Sequence, residues 1–139
     1  MLKEGVKKIN EQHRKIFDYT TDLFSHCTGD DAEENHYFAA TIGAAATLVK
    51  THFKTEEDLM IATKFQFFEY VDHKKEHEEF IATLVDNVKQ FRTSGSINLL
   101  MFASYAKWWV INHIKRFDKK YVAYFNKITE GRGIEKMRV

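Results

Sequence analysis

Seven side chains of this sequence have the types and the spacing of metal ligands. They are His13, His52, Glu56, His73, His77, His113 and Asp118. Two pairs among them, His52 with Glu56 and His73 with His77, are separated by one turn of a helix, which puts both members on the same face. One helix can offer two ligands to one metal ion in this way, so the pattern indicates metal binding.

Four apolar stripes at helical spacing predict the long helices that position these side chains. The predicted helices span about 6–28, 31–62, 73–93 and 97–128, and the chain has no proline to interrupt them. Asp30 or Asp31 can cap the second helix, and Ser96 can cap the fourth. Residues 64–69 predict a connection with aromatic plugs. The basic segment 131–139, which contains two glycines, predicts a loose tail.

Long helices joined by short connections predict an all-α fold, an antiparallel up-down-up-down four-helix bundle that forms a single domain over residues 1–139. Counted from the loops, all seven candidate ligands fall within a slab roughly 14 Å deep. Leaving them unpaired in a phenylalanine-rich core would cost roughly 1–3 kcal/mol each. The set is too large for one tetrahedral site and suits two carboxylate-bridged ions, with iron preferred over zinc or manganese.

Asp118 does not fit a regular helix, because a residue five positions after His113 points about 140° away from it. Both side chains can serve one site only if the helix widens locally. We therefore predict a π-bulge between His113 and Asp118, a feature often found at functional sites.

Charge and cysteine content exclude several classes of function. A net charge of +1 gives no concentrated cationic surface for nucleic acid or an anionic membrane, and no apolar run is long enough to span a bilayer. The lone Cys27 cannot form an intrachain disulfide, and the first residues lack the apolar core of a secretory signal. These features predict a protein of the cytoplasm that binds neither nucleic acid nor membrane.

The stretches that carry the ligands resemble the hemerythrin-like di-iron domains, bacterial hemerythrins included. They are INEQHRKIF, HFKTEEDLM, HKKEHEEF and WWVINHIKRFDKKY. The resemblance implies two iron ions: His73, His77 and His113 would hold one, and His13 and His52 the other. Glu56 and Asp118 would bridge the ions together with an oxo or hydroxo group. The apolar wall around the site would consist of Phe53, Trp109, Val110 and Ile114. The family usually has Asp at the position of Asn10, where we expect a weaker contact around the site.

The resemblance implies reversible O2 binding for storage, delivery or sensing, which favours a binding protein over an enzyme. The alternatives are a di-iron oxidase, peroxidase, NO-reducing enzyme or ferroxidase, and a sensory module of a larger signalling protein. Di-iron carboxylate enzymes on this architecture use two Glu-x-x-His motifs and four carboxylates. This chain has that pattern only from Glu33 to His36, far from the candidate ligands. A protein partner cannot be named from the sequence.

Overall fold

The computed structural model describes residues 2–139, and the helices in that range form an up-down-up-down bundle. The elements are α1 (Leu2–Ser25), α2 (Asp31–Ala62), α3 (Phe67–Ser94), α4 (Leu99–His113), a π-helical turn (Ile114–Asp118) and α5 (Lys119–Thr129). The last three are continuous and together make the fourth helix of the bundle. The predicted all-α fold is confirmed. None of the helices within residues 2–139 combines the length and apolar character needed to cross a membrane.

Two apolar clusters fill the bundle, one toward each end. The first cluster includes Leu23, Phe38, Phe80 and Phe102 and lies on the side of the α1–α2 and α3–α4 connections. The second includes Val6, Ile9, Met60, Tyr121, Phe125 and Met137 and lies at the opposite end. The seven candidate ligands lie near the middle of their helices, between the main parts of the two clusters, although Phe53 of the first cluster also reaches this level. Apolar packing therefore encloses them from both ends.

Side chains set the helix starts at positions that the sequence predicted only in part. Asp30 caps α2 by accepting a hydrogen bond from the Glu33 backbone N–H, as expected. Asn98 caps α4 through the N–H of Met101, so the prediction that Ser96 is the cap was wrong. Asn98 lies immediately before the first helical residue, where its side-chain oxygen reaches the free N–H groups of the first turn.

The connection between α2 and α3 is shorter than predicted. Gln66 accepts a hydrogen bond from the Glu69 N–H and starts α3 at Phe67, inside the stretch that the sequence predicted to be a connection. Phe65 packs on Tyr121 and Tyr124. The expectation of aromatic plugs therefore holds for Phe65 only, because Phe67 and Phe68 are exposed.

The segment 131–139, predicted to be a loose tail, returns to the bundle in the structure. Gly131 and Gly133 adopt φ values of +77° and +68°, a left-handed conformation that glycine takes without strain, and they turn the chain back from α5. Met137 is 2% exposed and belongs to the second apolar cluster. The glycines therefore produce a reversal of the chain, and the residues after them pack against the bundle.

Candidate metal centre

All seven candidate ligands lie together in the middle of the bundle, and each is at most 6% exposed. His13 comes from α1, His52 and Glu56 from α2, and His73 and His77 from α3. His113 ends α4, and Asp118 ends the π-helical turn. The two pairs with helical spacing, His52 with Glu56 and His73 with His77, each point inward from one helix face, as the sequence predicted.

One group of ligand atoms is formed by three imidazoles and two carboxylates. The Nε2 atoms of His73 and His77 are each 3.1 Å from Nε2 of His113. Glu56 Oε1 lies 2.8 Å from His73 Nε2 and 3.3 Å from His77 Nε2. Asp118 Oδ1 is 3.0 Å from His73 Nε2 and 2.9 Å from His113 Nε2. Five atoms that could ligate a metal ion therefore surround one point.

A second group uses the other oxygens of the same two carboxylates. Glu56 Oε2 is 3.9 Å from His13 Nε2 and 3.8 Å from His52 Nε2. Asp118 Oδ2 is 3.8 Å from His13 Nε2, and the rings of His13 and His52 are 4.6 Å apart. Glu56 and Asp118 thus each turn one oxygen toward each group, which is the arrangement expected of carboxylates that bridge two ions.

The π-helical turn makes this arrangement possible. It spans Ile114–Asp118 and places Asp118 Oδ1 2.9 Å from His113 Nε2, although five positions separate the two residues. The predicted π-bulge is confirmed. Without the widened turn, Asp118 would point away from the site, and Phe117 would take its direction.

Aromatic and aliphatic side chains separate the cluster from solvent. Phe53 stacks on the His77 ring at 3.8 Å between centroids, and Trp109 stacks on His113 at 4.4 Å. Phe53 and Trp109 also line a cavity of about 50 Å³, together with Val110 and Ile114. All four residues predicted to form the apolar wall therefore lie beside the candidate ligands.

Comparison with known proteins agrees with this geometry. The family model of the hemerythrin HHE cation-binding domain matches residues 4–125. The chain belongs to the hemerythrin family. It is 35% identical to hemerythrin of Phascolopsis gouldii, over 81% of this chain and 78% of that protein. It is 31% identical to a hemerythrin-like protein of Naegleria gruberi, over 84% and 82% of the two chains. A third relative is bacteriohemerythrin of Methylococcus capsulatus, 28% identical over 81% and 82%. No solved structure gives a significant match.

The donor atoms fit the two iron ions that the hemerythrin family implies. His13 Nε2 and both Glu56 oxygens are buried and lack a properly oriented hydrogen-bond partner among residues 2–139. Glu56 Oε1 is only 2.8 Å from His73 Nε2, so the two atoms are close without pointing at each other. Neighbouring ligands of one octahedral ion would lie about 2.8–3.0 Å apart at metal–nitrogen distances of about 2.0–2.1 Å. Most separations in the first group are close to this spacing.

The pKa values of His73 and Glu56 depend on the contacts between the imidazoles and the carboxylates of the cluster. Burial lowers the pKa of His73, but its contacts with Asp118 and Glu56 outweigh burial and raise that pKa to about 9. Burial likewise raises the pKa of Glu56, yet contact with His73 and His77 holds it well below the usual range. A proton on His73 therefore balances part of the carboxylate charge, and a bound cation would take over this role.

The Nδ1 atoms of three candidate ligand imidazoles contact acceptors around the site, and the sequence did not predict these contacts. His52 Nδ1 is 3.1 Å from Gln12 Oε1, and His77 Nδ1 is 2.7 Å from a Glu57 oxygen. His13 Nδ1 is 2.8 Å from the backbone carbonyl of Arg138. An amide or carbonyl oxygen can only accept, so the proton of His13 and that of His52 sit on Nδ1 and leave Nε2 free for a cation.

Gln12 and Glu57 could have been found from the sequence, because each is next to a candidate ligand and carries an acceptor. Nothing in the sequence around His13 points to Arg138, which is 125 positions away.

Proposed function

We propose that this protein binds O2 reversibly at a pair of non-haem iron ions. His73, His77 and His113 would hold one ion, His13 and His52 would hold the other, and Glu56 and Asp118 would bridge the two. When bound, the iron pair supplies the redox chemistry that O2 binding requires. The proposal is supported above all by one observation: Glu56 and Asp118 each direct one oxygen toward each group of imidazoles, beside an apolar cavity.

The cavity indicates which ion meets O2. It is lined by both imidazoles of the second group, His13 and His52. Of the three imidazoles of the first group, only His113 lines it among the described residues. The second group also has two imidazoles where the first has three. An ion held there would have fewer protein ligands and would lie beside the cavity, whose apolar lining, which includes Phe53 and Trp109, excludes water and polar reductants.

The same lining favours carriage over an enzymatic role. Apart from the ligands, the only ionisable side chain on the cavity wall within residues 2–139 is Tyr19. Burial raises the pKa of Tyr19, and its hydroxyl lies 3.4 Å from the Thr41 hydroxyl. A cavity without a ready proton donor suits storage, delivery or sensing of O2. The lone Cys27 supports a reducing compartment, the cytoplasm, as the location.

The test is to load the protein with Fe(II) without air, add O2 and follow the absorption spectrum. Reversible binding predicts a charge-transfer band that appears with O2 and disappears on purging, through several cycles. A band that appears once and does not reverse, with consumption of peroxide or NO, would instead identify an enzyme. Failure to take up iron would contradict the proposal altogether.

The bridging role of Glu56 has its own test in Glu56→Gln. The amide keeps the size of the side chain but offers one oxygen where the carboxylate offers two. Only one of the two groups would therefore keep an oxygen ligand from residue 56. We expect affinity for the second metal ion to fall by more than about 100-fold, which a titration with Co²⁺ would measure. Asp58→Asn is the matched control, since Asp58 is exposed and, within residues 2–139, forms its one ion pair with Lys54. Equal affinity in Glu56→Gln would exclude a bridging Glu56.

A further inference from the structure

The C-terminal segment Lys136–Arg138, here called the strap, is held by side chains along its whole backbone. Asn10 donates to the Lys136 carbonyl at 3.0 Å and accepts from the Arg138 N–H at 2.8 Å. Asn126 donates to the Met137 carbonyl at 3.2 Å and accepts from the Met137 N–H at 3.0 Å. The two amides clasp the strap from α1 and α5, so its position is defined by both helices.

Apolar packing adds a third anchor. The Met137 side chain is 2% exposed and packs in the second apolar cluster. Burying this methionine offsets part of the entropy lost on ordering the segment. The strap is thus a built element of the structure, although it lies beyond the residues 4–125 matched by the family model.

The last polar group of the strap contacts a candidate metal ligand. The Arg138 carbonyl accepts a hydrogen bond from His13 Nδ1 at 2.8 Å. Because Asn10 and His13 are three positions apart on α1, they share the helix face that the strap crosses. The bond keeps the proton on Nδ1, so Nε2 is bare and directed toward Glu56 and Asp118. The strap therefore sets both the tautomer and the orientation of this imidazole.

The strap also lies between His13 and solvent. A surface groove lined by Asn10, Arg14, Glu135 and Arg138 reaches His13 beside the strap. With the strap in place, His13 is only 6% exposed. Displacing the strap would therefore expose the imidazole and let water reach the second group of ligands.

We propose that the strap is a positioning element for His13, which it orients for metal binding and shields from water through the clasp of Asn10 and Asn126. The inference rests on the proposed function, because it assigns the strap to the second ion, the one that faces the cavity. It predicts that the strap controls this ion selectively and leaves the ion held by His73, His77 and His113 unaffected.

The test compares Asn10→Ala and Asn10→Asp with the parent protein by Co²⁺ titration of the metal-free chain. The alanine removes both hydrogen bonds, and the aspartate places an acceptor against the Lys136 carbonyl. We expect the second Co²⁺ to bind about 10–100-fold more weakly in both variants, with the first unchanged. A plain charge effect would work in the opposite direction in Asn10→Asp, since an added carboxylate attracts cations. Asn87→Asp, on α3 and away from the site, is the control of equal charge.

A spectroscopic readout reports the orientation of His13 independently of metal affinity. In the Zn²⁺-loaded protein, nitrogen NMR of the histidine side chains should show a slowly exchanging Nδ1 proton on His13. That proton should exchange rapidly in the Asn10 variants and in a chain ending at Glu135, while circular dichroism reports whether each variant is folded. If these variants keep the signal and the second Co²⁺ affinity, the strap has no positioning role. If the parent protein binds no second ion, the proposed function fails instead.

Discussion

At the scale of single residues, the buried cluster makes the stability of the metal-free protein depend on pH in two directions. Contacts with Asp118 and Glu56 outweigh burial and raise the pKa of His73 to about 9, whereas burial lowers the pKa of His52 from 6.5 to about 4. The folded protein therefore binds an extra proton at His73 between about pH 6.5 and 9. Between about pH 4 and 6.5, His52 stays neutral in the folded protein, whereas it is protonated in the unfolded chain.

These shifts predict a stability maximum of the metal-free protein near pH 6.5. Stability contributed by His73 is complete below its unfolded pKa and is lost as pH rises toward 9. Stability associated with neutral His52 is lost as pH falls toward 4, each by up to about 1.4 kcal/mol per pH unit. Urea unfolding between pH 4.5 and 9 would measure the curve. His73→Gln should make the alkaline side less steep without removing its slope, because at His77 burial is outweighed by contacts with Glu56 and Glu57, which raise that pKa as well. A parent curve that rises toward pH 9 would contradict the prediction.

The clustering of the candidate ligands was predictable from the sequence because their spacing obeys helix geometry. His73 and His77 could be assigned to one face without knowing what lies opposite them. The contact of His13 with the Arg138 carbonyl could not be predicted. A backbone acceptor has no residue type to recognise, and its position depends on how the chain returns after α5. The two hydrogen bonds between Asn10 and the strap were not predictable either, because they depend on the same return of the chain.

At the scale of the helices, the site depends on a deviation from regularity in the fourth helix. Its π-helical turn could be inferred, since His113 and Asp118 both had to face the interior while being five positions apart. Helix starts were harder to predict. Several polar residues precede α4, and the one that caps it depends on where the helix begins. In the structure α4 begins at Leu99, which is fully buried.

The cap of α4 yields a direct comparison between neighbouring residues. Asn98 accepts from the Met101 N–H at 3.0 Å, whereas Ser96 contributes only backbone groups to the hydrogen bonds of this connection. We expect Asn98→Ala to lower the free energy of unfolding by about 1 kcal/mol and Ser96→Ala to change it by less than about 0.5 kcal/mol. Thermal or urea unfolding would measure both variants. A larger loss in Ser96→Ala would mean that α4 begins earlier than the structure describes.

At the scale of the whole molecule, the site exists because the four helices of the bundle leave a polar layer between two apolar clusters. The bundle and the common level of the ligands followed from helix lengths and loop positions. The cavity could not be predicted in this way, because an opening of about 50 Å³ depends on how side chains from several helices pack together. It extends from His13 and His52 to Ile42 and Phe102 in the first apolar cluster, away from the strap.

This cavity predicts that O2 reaches the second ion through the apolar interior, and Ala106→Leu tests it. Ala106 is 5% exposed and lines the cavity, so a larger side chain there would occupy part of its volume. We expect O2 association to slow by about three- to tenfold at unchanged iron content, and overpacking to cost roughly 1–3 kcal/mol of stability. Rapid mixing of the reduced protein with O2 would measure the rate, with Ala40→Leu on the exposed face of α2 as the control. An unchanged rate in a folded, iron-loaded Ala106→Leu protein would mean that O2 enters by another path.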